Sequence, residues 1–181
     1  MHCWKSINVK KQYGFDRLFL ISALSGFGVF IAYFIALNIF SSAPLSDQHF
    51  LTFLLAILGI YPLHKICHFL PLVGCRKCLR LIIKTQLGLL PAITLKINDP
   101  VPKRKFIVTL VTPFILVNAV IIMLTFMLPS FSHYFAMLLA YHCALCVPDL
   151  LYMRNLVRSP KHALIEETDT GFEILVPQAI A

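Results

Sequence analysis

Four apolar runs decide what this chain can fold into. Residues 18–40, 50–73, 106–128 and 133–157 are each long enough to cross about 30 Å of hydrocarbon at about 1.5 Å per helical residue. Inside lipid every backbone N–H and C=O needs a partner from the protein, so runs of this length read as helices and not as open strands. The first run is too long for the core of a signal peptide, and Pro44 would block cleavage after Ser41, Ser42 and Ala43, so it reads as a retained span. The expected fold is an all-α membrane protein, a single polytopic domain over residues 1–181 with a loop at 74–105 and a tail at 158–181. Only 13% of the residues are charged, where a soluble domain carries about a quarter, and that excludes an ordinary soluble globular protein.

The positions of the cations give an expected orientation, because Lys and Arg accumulate on the cytoplasmic side. Lys5, Lys10, Lys11 and Arg17 precede the first run. Arg76, Lys77, Arg80, Lys84, Lys96, Lys103, Arg104 and Lys105 lie between the second and third, and Arg154, Arg158 and Lys161 lie near the end. The links 41–49 and 129–132 carry none, so both termini are expected in the cytoplasm of a cell-membrane protein. The net charge of +8 flanks apolar runs and covers no folded basic face, so the expected partner is the lipid bilayer and not nucleic acid. The six cysteines fall in spans or on the basic side, where a reducing cytosol disfavours disulfides.

Two short β features are expected outside the helices. Leu79–Ile83 and Leu89–Leu95 are rich in β-branched residues around the turn-prone Gly88, which predicts a cytoplasmic or interfacial β-hairpin between the second and third helices. Ala163–Glu167 and Phe172–Val176 around Thr168–Gly171 predict a short C-terminal hairpin. Trp4, Tyr13 and Phe15 in the lead are spaced like interfacial anchors.

Lys65 is the one cation that orientation does not explain, and it lies between His64 and His68 in the second span. Histidines four apart share a helical face and have the spacing by which a helix presents two imidazoles to one zinc ion. Asp149 is the only acid within the four runs, and counted from the basic ends of their spans Lys65 and Asp149 are level, roughly 12 Å deep. The residues allow two readings. Asp149 could be a third metal ligand beside His64 and His68, with a fourth position left open. It could equally pair with Lys65, each relieving the cost of burying the other. His142 is a secondary candidate on nearly the same side of the last span as Asp149, with a core role expected. Cys75/Cys78 and Cys143/Cys146 have half-site spacing for zinc but lie at different depths, so they read as buried or interfacial thiols. Pro148 frees a carbonyl one turn earlier in the last span.

The stretch from His64 to His68, the segment from His142 to Asp149 and the tail from Pro160 to Ile174 together resemble a family of small bacterial membrane proteins, the zincin-like membrane peptidases. Typical members carry His-Glu-x-x-His, with a downstream aspartate similar to the third ligand of intramembrane site-2 metalloproteases. That resemblance implies zinc as cofactor, with His64, His68 and Asp149 as ligands and position 65 as the general base. Lys65 departs from the pattern, and a charged lysine cannot accept a proton from zinc-bound water. The lead from Cys3 to Ile7 and the tail also look like those of a Bacillus-type subgroup that carries this lysine. The resemblance therefore implies a degenerate, non-proteolytic site with a binding or regulatory role toward another membrane protein. Its rivals are an active site-2-type zinc metallopeptidase, drawing its base from His142 or from substrate, and a purely structural four-helix protein held by a Lys65–Asp149 ion pair.

Overall fold

A computed structural model describes residues 2–40, 43–73, 79–86, 90–97, 100–168 and 171–176. The chain begins with strand β1 (His2–Ile7) and a short helix α1 (Val9–Tyr13). Gly14, at φ 77°, supplies a left-handed residue that turns α1 into the long helix α2 (Phe15–Phe40). Helix α3 (Phe50–Cys67) runs on through a 3₁₀ turn, Leu70–Leu72. Strands β2 (Leu79–Gln86) and β3 (Leu90–Ile97) follow, then a two-residue strand β4 (Val101–Pro102) that leads directly into α4 (Lys103–Met127). Helix α5 (Ser132–Val157) and strands β5 (Leu164–Thr168) and β6 (Gly171–Val176) complete the order.

Among the described residues, four helical segments are long and apolar enough to cross a membrane: Phe15–Phe40, Phe50–Leu72, Lys103–Met127 and Pro129–Val157. The last is the most buried and the first the least, because α5 packs against all three other long helices, most extensively against α2 and α4. Small residues let α2 approach α5. A Cβ on Gly26 would lie 2.9 Å from the carbonyl oxygen of Ala140 and 3.0 Å from the Cβ of Ala144, an approach that membrane helices favour because van der Waals packing drives their association.

The strands form two antiparallel units. β2 and β3 pair in register from Leu79 opposite Ile97 to Gln86 opposite Leu90, as the expected hairpin; Gly88 in its turn lies outside the described residues. The C-terminal hairpin also forms, with Ile165 opposite Ile174, but it is the centre of a four-stranded sheet in the order β1-β6-β5-β4. Of the residues expected as interfacial anchors, Trp4 lies in β1, an edge strand on β6 with a register shift between Cys3 and Lys5, Tyr13 ends α1 and Phe15 begins α2. An isolated hairpin is marginal in water, and the added strands give this one the width to hold.

The sheet covers the end of the bundle where α2 and α4 begin and α5 ends. Ile7, Val101, Ile165 and Ile174 are buried there with Leu18, Phe106, Leu110 and Leu156 from the helices. Lys103, counted by its position among the orienting cations, is itself buried at this junction. Its Nζ donates to the carbonyls of Val157, at 3.1 Å, and Ser159, at 2.5 Å, satisfying groups that the last turn of α5 leaves without helical partners.

Candidate metal centre

The last turn of α3 carries His64, its C-cap is His68, and α5 carries His142 near its middle and Cys146 and Asp149 in its C-terminal half. The crossing of these helices brings three donor atoms together. His64 Nε2 lies 3.1 Å from Asp149 Oδ2, His68 Nε2 lies 3.4 Å from the same oxygen, and the two Nε2 atoms are 3.1 Å apart. Two zinc bonds of about 2.0–2.1 Å meeting at a tetrahedral angle hold their donors about 3.3–3.4 Å apart, so this spacing fits one ion. His64 is 3% exposed, whereas His68 and Asp149 are only partly buried, so one side of the triad is open to a fourth ligand.

Hydrogen bonding fixes which ring nitrogens are free. His68 Nδ1 lies 2.8 Å from the backbone oxygen of Thr109, which can only accept, so in the neutral ring Nδ1 carries the proton and Nε2 presents a lone pair to the triad. That oxygen is available for a reason visible in the chain. Its helical donor would be the N–H of residue 113, and residue 113 is a proline inside α4. The missing N–H of Pro113 therefore leaves Thr109 to hold His68.

His142 is fixed in the same way. Its Nδ1 lies 2.6 Å from Asn118 Oδ1, while Asn118 Nδ2 donates to Cys143 Sγ at 3.5 Å. His142 Nδ1–H is thus the donor, and its Nε2 lone pair faces His64 Nδ1 at 3.2 Å. His142 is fully buried, and it stands on the opposite edge of the His64 ring from Asp149. Cys146 Sγ closes a second group, 3.8 Å from His64 Nδ1 and 3.6 Å from His142 Nε2. Cys146, read as a buried thiol, is buried, and it lies among imidazoles; Cys75 and Cys78 lie outside the described residues.

The expected alternative of a Lys65–Asp149 ion pair does not form. The Lys65 Nζ lies over the ring of Tyr61, 5.8 Å from its centroid, and makes no ion pair among the described residues. Each helical residue turns the face by about 100°, so once His64 and His68 point at α5 the intervening lysine is carried round to the side of Tyr61, one turn earlier. Asp149 faces the histidines instead.

Thr109 and Asn118, which contact the candidate histidines, were not picked out from the sequence, and Cys146 was picked out only through its spacing from Cys143. For Thr109 the available signal was Pro113, since a proline in an apolar helix marks a free carbonyl four residues earlier. Asn118 gave none beyond being polar in a span.

The four long helices and the histidine pair facing a carboxylate on another helix define a class, multi-pass membrane proteins with a zincin-like arrangement. A family model described as "Putative zincin peptidase" matches residues 57–164, which takes in His64, His68, Asn118, His142 and Asp149. The chain belongs to that family. Neither a search of curated proteins nor one of solved structures returns a match.

Proposed function

We propose that His64, His68 and Asp149 hold a zinc ion, and that the site serves binding or regulation of another membrane protein and not peptide hydrolysis. One observation carries the metal reading: three lone-pair donors converge at 3.1–3.4 Å. With the His64 proton on Nδ1, directed at His142, no hydrogen lies between them. Such a group is repulsive unless a proton or a metal cation sits among its members, and its spacing is that of ligands around one ion. Bound zinc would supply Lewis acidity at the open position.

The departure from peptidase chemistry rests on position 65. A zincin takes the proton of the attacking water on a glutamate there, and this chain has a lysine stacked on Tyr61. His142 does not replace that base, because Asn118 engages one of its nitrogens and His64 the other, on the far side of the ring from Asp149. On the cation count, the sheet and both termini lie on the cytoplasmic side of the cell membrane, which turns the basic ends of the helices to that face.

Metal analysis of detergent-purified protein tests the site: one zinc per chain is expected in wild type and none in His64→Ala, and a wild-type protein free of zinc overturns the metal reading. Chelator-sensitive cleavage of a single-span membrane substrate by wild type, lost in Asp149→Asn, would overturn the non-proteolytic part and leave the metal in place.

A further inference from the structure

His64 offers different atoms to its two neighbouring groups. Nε2 faces His68 and Asp149, and Nδ1 faces His142 and Cys146. A neutral imidazole carries one proton and one ring lone pair, so the ring can satisfy one group by donation and only the other by coordination. With the proton on Nδ1, His64 donates to His142 Nε2 and the carboxylate group lacks a proton. With the proton on Nε2, His64 donates to Asp149, and its Nδ1 lone pair meets the lone pair of His142 Nε2, which Asn118 has already fixed outward. With the proton on Nδ1 no hydrogen of His64 lies among the carboxylate group, and with the proton on Nε2 the two lone pairs on the other side share only the weak S–H donor of Cys146.

We propose that His64 Nδ1, His142 Nε2 and Cys146 Sγ form a second metal station, selective for a thiophilic ion and used in alternation with the first. The separations are those of a shared ion: the nitrogens are 3.2 Å apart, and the sulfur lies 3.6 and 3.8 Å from them. The sulfur is also 3.9 Å from His142 Nδ1, so it stands over the ring, and an ion on the Nε2 lone pair would draw the thiolate toward the ring edge. A zinc ion with bonds of about 2.0–2.1 Å to nitrogen and about 2.3 Å to sulfur holds N and S about 3.5–3.6 Å apart. All three residues are buried, at 3%, 0% and 1% exposure, where the first station is partly open. The His142–Asn118 bond is the outer support that ligating histidines usually have, a ring N–H held by a carbonyl oxygen. A thiolate in place of a carboxylate shifts the preference toward zinc or cuprous ions over harder cations, and the ion replaces the thiol proton. Because His64 is shared, an ion on its Nε2 would require the ring proton on Nδ1 and an ion on its Nδ1 would require it on Nε2, so the two stations would not fill together; the Cys146 thiol proton released at the closed station would pass to the vacated His68–Asp149 group. The alternation rests on the zincin-like reading of the first station; the second station does not.

Cobalt(II) is the probe, because a cobalt–thiolate bond gives a strong near-ultraviolet charge-transfer band that nitrogen and oxygen ligands lack. In the detergent-solubilised full chain, wild type is expected to bind one cobalt. His68→Ala, which removes only the first station, is expected to bind one with a strong thiolate band. Cys146→Ser in the same background is expected to lose both band and ion, and Cys146→Ser alone should keep one cobalt without the band. Absence of the band in His68→Ala, or its persistence after Cys146→Ser, overturns the second station while a cobalt-binding wild type leaves the first standing. Loss of all cobalt in Cys146→Ser alone, with a thiolate band in wild type, overturns the first station and supports the second. Two cobalt ions in wild type overturn the alternation.

Discussion

Replacing Pro113 by alanine separates two effects that usually travel together, helix stability and metal affinity. In the native chain Thr109 O accepts from His68 Nδ1–H at 2.8 Å because residue 113 has no N–H to give it. Pro113→Ala restores that donor within α4, and the carbonyl turns toward its helical partner. A neutral hydrogen bond is worth about 1 kcal/mol net, or roughly fivefold in an equilibrium, and loss of an outer-shell partner of a ligating histidine costs about 10–100-fold in metal affinity. Because a carbonyl has two acceptor positions and can keep a weakened contact, the low end applies, and zinc should bind about tenfold more weakly. The metal-free helix moves the other way. Proline in a helix interior is about 3 kcal/mol less favourable than alanine, part of which the void left by the buried ring takes back, so apo Pro113→Ala should be at least as heat-stable as wild type. Competition against a chromophoric chelator and thermal unfolding of the same detergent preparation give the two numbers. Unchanged affinity would refute the claim that the freed carbonyl positions His68, and a parallel fall in apo stability would mark general damage to α4.

Two further outcomes follow from the packing. Gly26→Leu should destabilise the bundle by about 1–3 kcal/mol, since its side chain must displace the backbone of α5 at Ala140, while Gly28→Leu, with nothing within 4 Å of its Cβ position, should change little; thermal unfolding of the pair checks this. Lys103→Met keeps the aliphatic stem but leaves the carbonyls of Val157 and Ser159 without their charged donor, so a loss of about 1–3 kcal/mol is expected, read as a lower melting temperature and as faster proteolysis of the strands after α5.

The sequence by itself determined the four long helices. Runs of more than 20 apolar residues leave the backbone no other way to satisfy itself in lipid, and that constraint is local. It also placed both hairpins by β-branched strands around turn residues, and it picked out His64, His68 and Asp149, because spacing on one helix and charge within an apolar run can be read without coordinates. What it left open was decided by how the helices turn and cross. A sequence gives depth along a span but not the direction a side chain faces, so Lys65 and Asp149 looked level, yet Lys65 turned to Tyr61 and Asp149 to the histidines. Pairing of β1 with β6 joins the two ends of the chain, and no local pattern encodes a contact at that separation. The chain from Asp149 through His64 and His142 to Asn118 spans three helices. Hydrogen bonds and ion coordination act over about 2–4 Å, so its existence depended on interhelical distances that only the packed bundle sets.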